Sequence, residues 1–270
     1  MTENHAQYAA DLEFAKQLAD LADSISLPRF EAADFTVATK ADRSFVTDAD
    51  TAVEAALRAH IEQHRPDDGF LGEESGQVDQ GSRQWIIDPI DGTSNFLRGV
   101  PNWATLIALA VDGKPVVGVV SAPAFGQRWF AALGDGAWKS VRGAAPTQLG
   151  VSQVSSLDEA SLSFQSIEQW EQAGYLSPLL DLTRAVWRDR AYGDMWSYML
   201  LAEGVLDIVG EFDVKPYDLA ALVPIVTEAG GTFTDIEGAT SAWNLSSLAT
   251  NGHLHDATVS FIAHAKESHR

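Results

Sequence analysis

Trp85-Ile86-Ile87-Asp88-Pro89-Ile90-Asp91-Gly92-Thr93-Ser94-Asn95-Phe96 opens on the short apolar run of a buried strand and closes on residues suited to a helix start. Between them stand two carboxylates three residues apart. Pro89 stiffens the turn, and Gly92 permits close backbone approach. Such a turn can present both acids, with the Ile90 carbonyl between them, to adjacent hard cations. Oxygen-only donors select Mg²⁺, Mn²⁺ or Ca²⁺. The N–H groups of Gly92, Thr93 and Ser94, at an expected helix start, are suited to grip a phosphate.

Working outward, Tyr8, Leu12, Ala15, Leu18, Ala22 and Ile25 recur at helical spacing and predict an amphipathic helix ending before Pro28. A second helix is expected over Asp48 to His64, with Thr47 as N-cap. Strands are expected at Phe70-Leu71, Trp85 to Ile87, Thr105 to Val111, Val116 to Ser121 and Arg128 to Ala131, with a hairpin at Asp112-Gly113. Thereafter helix and strand alternate: strand Ala160 to Phe164, helices Ser177 to Arg184 and Met195 to Ala202, strand Leu206 to Glu211, helix Leu219 to Ala229, strand Thr232 to Thr234, and a last helix from His255. Hairpins first and alternation later predict an α/β (α+β) layered sandwich of two lobes, 1–143 and 144–270, joined near Gly143 to Val151.

Composition bounds the function. The 270 residues, 46% hydrophobic with eight Trp and twelve Phe, suffice for a large core. With 38 acidic against 18 basic residues and a net charge of −20, nucleic-acid binding is excluded as an expectation. An anionic substrate would need metal ions or main-chain N–H groups to invert the charge locally. The absence of cysteine removes disulfides and thiolate metal sites. Neither a signal-peptide pattern nor an apolar run of bilayer length is seen, so a cytoplasmic protein without membrane association is expected.

Three further acidic positions flank expected elements: Asp48 and Asp218 at helix starts, and Glu73-Glu74 after a strand. Singly, each is explained by the helix dipole or a solvated turn. Together, Gly72-Glu73-Glu74-Ser75, Asp88-Pro89-Ile90-Asp91-Gly92-Thr93-Ser94-Asn95-Phe96 and Tyr217-Asp218-Leu219-Ala220-Ala221 resemble the three signatures of the inositol-monophosphatase superfamily, in the family's order and followed by Gly230-Gly231. The resemblance spans nearly the whole chain and implies the layered αβαβα sandwich of the inositol monophosphatase and fructose-bisphosphatase type. It implies Mg²⁺, two or three per site, with Glu73, Asp88 and the Ile90 carbonyl on one ion and Asp88, Asp91 and Asp218 on a second. Asp48 and Thr93 resemble the pair that orients the attacking water, with Glu73 also catalytic, and Lys40 matches a lysine kept near the site. A homodimer is implied, to which the apolar Trp103 to Val111 segment and the helix near Asp194 are candidate contributors.

Other phosphatase and metal patterns fail. Asp48-Ala49-Asp50-Thr51-Ala52 suggests an aspartyl-phosphate loop, but helical periodicity begins at once. As an EF-hand it lacks glycine at position six, which is Val53, and glutamate at position twelve, which is Ala59. The histidines show no zinc spacing and are expected to be solvated.

Trp187-Arg188-Asp189-Arg190-Ala191-Tyr192-Gly193-Asp194-Met195-Trp196-Ser197-Tyr198 is similar to the histidinol-phosphatase branch of the superfamily, whereas Ser75 is nearer the inositol-type pattern. The expected activity is hydrolysis of a small phosphorylated metabolite, L-histidinol phosphate first. Inositol 1-phosphate or a broader sugar or polyol phosphate remains open, as does a catalytically silent metal-binding regulator. Histidinol phosphate carries an amine and an imidazole, so its selection calls for acids beyond the metal set. Asp194 and Glu211 are the candidates, with Gly92, Thr93, Ser94 and Arg190 as further substrate contacts.

Overall fold

The computed structural model describes residues 7–39, 45–78 and 81–269. They divide into two compact units, Met1–Gln148 with Ala220–Ile225, and Leu149–Leu219 with Val226–Arg270.

In the first unit the order is α1 (Ala9–Ala32), β1 (Val37–Thr39), β2 (Phe45–Thr47), α2 (Asp48–His64), β3 (Gly69–Gly72), β4 (Gly76–Val78), β5 (Arg83–Asp91), α3 (Thr93–Leu97), β6 (Ala104–Val111), β7 (Lys114–Ala122), β8 (Gln127–Ala132), β9 (Ala137–Val141) and β10 (Thr147–Gln148). Its large sheet runs β10-β9-β8-β7-β6-β5-β3-β4, antiparallel except where β3 lies parallel to β5, and β1 pairs with β2. Helices α1 and α2 cover one sheet face, burying Leu18, Leu57, Trp85, Ile87, Ile107 and Val119. On the alternate positions Ile86, Leu106 and Val120 are buried as well, so the central strands read as continuous apolar runs. A Cβ on Gly118 would lie 2.1 Å from the Ala221 carbonyl oxygen, a close approach that only glycine allows.

The second unit holds β11 (Ser161–Phe164), α4 (Ile167–Gln172), α5 (Leu176–Ala185), β12 (Arg188–Arg190), α6 (Asp194–Ala202), β13 (Ile208–Phe212), α7 (Pro216–Leu219), the end of α8 (Leu222–Glu228), β14 (Thr232–Thr234), β15 (Ser246–Thr250) and α9 (His255–Ser268). Its sheet runs β12-β11-β13-β15-β14, with parallel pairing around β11 and antiparallel pairing at β15. Leu162, Trp170, Leu182, Ile208 and Leu248 form its core. Mixed sheets with helices layered on them bear out the expected α/β class.

Several expectations are corrected. Helix α1 does not stop before Pro28 but runs to Ala32, with the proline inside it. The last turn is held by tertiary contacts that outweigh the lost backbone bond, since Phe30 packs on Phe96 and Trp103 and Arg29 pairs with Asp48. The helix expected over Leu219 to Ala229 is broken into α7 and α8. Pro224 cannot donate back to residue 220. Trp103 to Ala110 lies buried in the first unit's own core, so that segment offers no dimer surface. His255 is buried, not solvated, its ring nitrogens 3.1 Å from Thr234 Oγ1 and 3.2 Å from Thr250 Oγ1.

Candidate active site

Strand β5 does not end at Ile87 but continues through the acidic segment to Asp91, with an irregularity between Asp88 and Asp91. Asp88 pairs with Leu106 and Asp91 with Ala104, so three steps on β5 match two on β6. In a regular strand, residues three apart point to opposite faces; the extra residue of a bulge cancels that alternation. The two carboxylates come within 4.8 Å of each other. Pro89 has no N–H to lose at this irregularity, and its carbonyl accepts from Thr105 Oγ1 at 2.8 Å. Asp88 Oδ1 accepts from the Ile90 N–H at 3.0 Å. Asp88 is buried and Asp91 half-buried.

Gly92 follows with φ 84° and caps α3, accepting from the Asn95 and Phe96 N–H groups. The first N–H groups of any helix have no partner within it, so those of Thr93 and Ser94 stand at the edge of the acidic turn. Thr93 is half-buried and Ser94 exposed.

The partner of Thr93 is not Asp48. Thr93 Oγ1 lies 3.0 Å from the Ile90 carbonyl and 3.3 Å from Asp50 Oδ1. Asp48 is turned instead to the Thr36 N–H at 2.9 Å and to Arg29 at 3.3 Å. The reason lies in the start of α2. Thr47 caps it and Asp50 completes the capping box, its Oδ2 taking the Thr47 N–H at 2.8 Å and the Thr47 hydroxyl. This folds Asp50 inward and leaves Oδ1 toward Thr93. Burial, the larger influence, and the neighbouring Glu73 charge raise the Asp50 pKa against the lowering effect of the Thr47 bonds. The Thr47-x-x-Asp50 spacing was the sequence signal for this residue.

Glu73 sits on the turn after β3, its N–H donating to Ile87 O at 3.2 Å, which ties the turn to β5. A residue that sequence reading missed shapes this turn. Glu54 of α2, buried at 2% exposure, accepts from the Glu74 N–H at 2.8 Å and the Ser75 N–H at 2.7 Å. A Cβ at Gly72 would lie 2.5 Å from that carboxylate, so the glycine is what admits it. Lys40 lies outside the described residues.

In the second unit, Asp218 stands in α7, where its Oδ2 accepts from the Lys215 N–H at 2.6 Å. Asp194 opens α6 at φ 50° and exchanges two 3.0 Å hydrogen bonds with the Gln165 side-chain amide. Glu211 is 3% exposed, so it is no surface residue. Its Oε2 accepts from Tyr198 Oη at 2.9 Å. Burial, then the Asp194 and Asp218 charges, raise its pKa to about 8 despite the Tyr198 bond. Arg190 is exposed on β12, its guanidinium donating to the Asp189 carbonyl at 2.6 Å. Gln165 had no motif to announce it, and the stretch that ends at Tyr198 gave no sign of its bond to Glu211 on β13.

The chain is 53% identical over 247 residues to the histidinol-phosphatase of Mycobacterium tuberculosis, covering 91% of this chain and 95% of the relative. It is 48% identical over 259 residues to the histidinol-phosphatase of Streptomyces coelicolor, covering 94% and 97%. An inositol monophosphatase structure from Zymomonas mobilis superposes with a TM-score of 0.83 at 32% identity, over 96% of this chain and 99% of that one. The model of the inositol monophosphatase family matches residues 8–269, and the chain belongs to that family.

Proposed function

We infer that this chain is a phosphoric monoester hydrolase whose substrate is L-histidinol phosphate. The observation that carries the substrate choice is that both relatives near 50% identity are histidinol-phosphatases. The acidic groups at Asp194 and Glu211, suited to an amine or imidazole, support it.

The donors gathered on β5 are all oxygen, two carboxylates within 4.8 Å and a neighbouring carbonyl, which fits a hard divalent cation such as Mg²⁺. On the family resemblance, Glu73, Asp88 and the Ile90 carbonyl would hold one ion, and Asp88, Asp91 and Asp218 a second. Bound Mg²⁺ neutralises phosphate charge and lowers the pKa of water. The chain's own residues do the rest. Thr93, fixed by the Ile90 carbonyl, and Asp50 Oδ1 orient the attacking water, Asp50 taking the place expected for Asp48 in that pair and serving also as the proton acceptor. The N–H groups of Gly92, Thr93 and Ser94 hold phosphate oxygens. Asp194 and Glu211, with Arg190 nearby in sequence, address the part of the substrate beyond the phosphate.

No helix of the described residues is long and apolar enough to cross a membrane. The reading extends to a cytoplasmic homodimer that acts on a free metabolite and binds no nucleic acid. Sedimentation of the purified chain tests the dimer.

Phosphate release from L-histidinol phosphate, inositol 1-phosphate, fructose 1,6-bisphosphate and 3′-phosphoadenosine 5′-phosphate, each with and without Mg²⁺, tests the function. The highest kcat/KM is expected on L-histidinol phosphate. A preference for inositol 1-phosphate would overturn the substrate, and no turnover on any ester would return the silent metal-binding reading.

A further inference from the structure

We propose that Tyr198 is a positioning residue for substrate recognition, orienting Glu211 so that its free carboxyl oxygen, Oε1, meets the cationic end of the substrate opposite the phosphate. This rests on the reading of the chain as a histidinol-phosphate hydrolase.

Tyr198 is 1% exposed and its ring stacks on Phe233 at 5.7 Å and 22°, so the hydroxyl has one direction to point. It donates to Glu211 Oε2 at 2.9 Å and shares a second bond of 2.5 Å with Ser247 Oγ. A phenol has one proton. Once that proton is given to Glu211, Ser247 must be the donor in the other bond, and the chain runs Ser247 to Tyr198 to Glu211. It leaves Glu211 Oε1 buried with no hydrogen-bond partner among the described residues. A buried carboxyl oxygen without a donor is costly, and a substrate N–H that supplies one relieves that cost.

Asp194 lies one helical turn before Tyr198 on the same face of α6, and its charge is felt at Glu211. Gln165 holds that second acid as Tyr198 holds the first. Two acids fixed in this way favour a protonated amine or imidazolium over neutral hydroxyls.

The test is a double-mutant cycle of Tyr198→Phe and Glu211→Gln, assayed on L-histidinol phosphate and glycerol 2-phosphate with Mg²⁺ present. Tyr198→Phe keeps the ring stack and removes the donor. It is expected to raise KM for L-histidinol phosphate about tenfold, the loss of one charge-assisted hydrogen bond, with the larger share of the change in KM rather than kcat. The loss on glycerol 2-phosphate is expected to be several-fold smaller. Adding Tyr198→Phe to Glu211→Gln should cost less than about a further twofold, because the first acts through the second. Additive losses, or equal losses on both substrates, overturn the inference while leaving the function standing. A wild-type chain inactive on L-histidinol phosphate overturns the function and the inference together. Should Tyr198→Phe fail to fold, Glu211→Asp, which keeps the charge and withdraws the carboxylate from the Tyr198 hydroxyl, is read against the same outcomes.

Discussion

Thr93 Oγ1 lies 3.3 Å from Asp50 Oδ1, while Asp48, two residues earlier, is held away by Arg29 and the Thr36 N–H. The capping box that closes the start of α2 decides which acid turns inward. Asp50→Asn is therefore expected to lower kcat by at least about a hundredfold, the range typical of losing a catalytic base. Asp48→Asn, which weakens one partly exposed ion pair, should change it by less than about fivefold. Steady-state kinetics of the two variants decide between them, and the reverse ranking would restore Asp48 to the site.

Glu54 supports the prediction that a residue remote from substrate sets the metal requirement. Its two oxygens hold the N–H groups of Glu74 and Ser75, and so fix the turn on which Glu73 stands. In Glu54→Gln one of those acceptors becomes an NH₂ facing an N–H donor, an unsatisfied buried pair costing about 1–3 kcal/mol. A lower Tm is expected, together with a several-fold higher Mg²⁺ concentration for half-maximal activity. An unchanged Mg²⁺ requirement would mean that the Ile87 carbonyl bond to Glu73 holds the turn by itself.

The Asp88 to Ser94 segment was legible in the sequence because its chemistry is local. Pro89 and Gly92 mark the turn, the acids lie three apart, and the flanking strand and helix need no distant partner to be recognised. What stayed hidden depended on contacts far apart in the chain. Helix α1 crosses Pro28 because Phe30 finds Phe96 and Trp103 more than sixty residues later. The strand Ser246–Thr250 is wholly buried, so its Ser-Ser-Leu-Ala-Thr shows no alternation to betray it. Asp48 and Asp50 look equivalent as first-turn acids until the capping box distinguishes them. Tyr198 and Glu211 are joined only through the packing of α6 on β13.

Metal removal should abolish turnover, since the proposed nucleophile is a water activated by the metal rather than a side chain. Activity is expected to vanish in excess chelator and to return with Mg²⁺, whereas Ca²⁺, larger and less strict in geometry, should bind and support little turnover. Asp88→Asn, altering the one side chain assigned to both ions, should cost at least about a hundredfold in kcat even at saturating Mg²⁺. Full activity of the chelated protein, or of Asp88→Asn, would remove the metal assignment.

The last prediction concerns stability against pH in the metal-free protein. Glu211 is fully buried, and burial together with the Asp194 and Asp218 charges raises its pKa from 4.5 to about 8. Below the lower value both folded and unfolded chains carry the proton, and the interactions of the neutral acid count in full. As pH rises through the window, the unfolded chain releases the proton first while the folded chain retains it, so folding stability falls. Above the upper value the folded state must bury a carboxylate or open. The loss is of the order of a few kcal/mol, at about 1.4 kcal/mol for each pKa unit. Glu211→Gln copies the shape of the neutral acid and cannot ionise, so it should remove this contribution. With Mg²⁺ chelated, urea unfolding at intervals between pH 5 and pH 8.5 is expected to show the wild type losing stability relative to Glu211→Gln steadily across the range. Parallel curves for the two proteins would mean that Glu211 is already ionised at neutral pH in the substrate-free chain; a cationic substrate beside it favours the carboxylate form in either case.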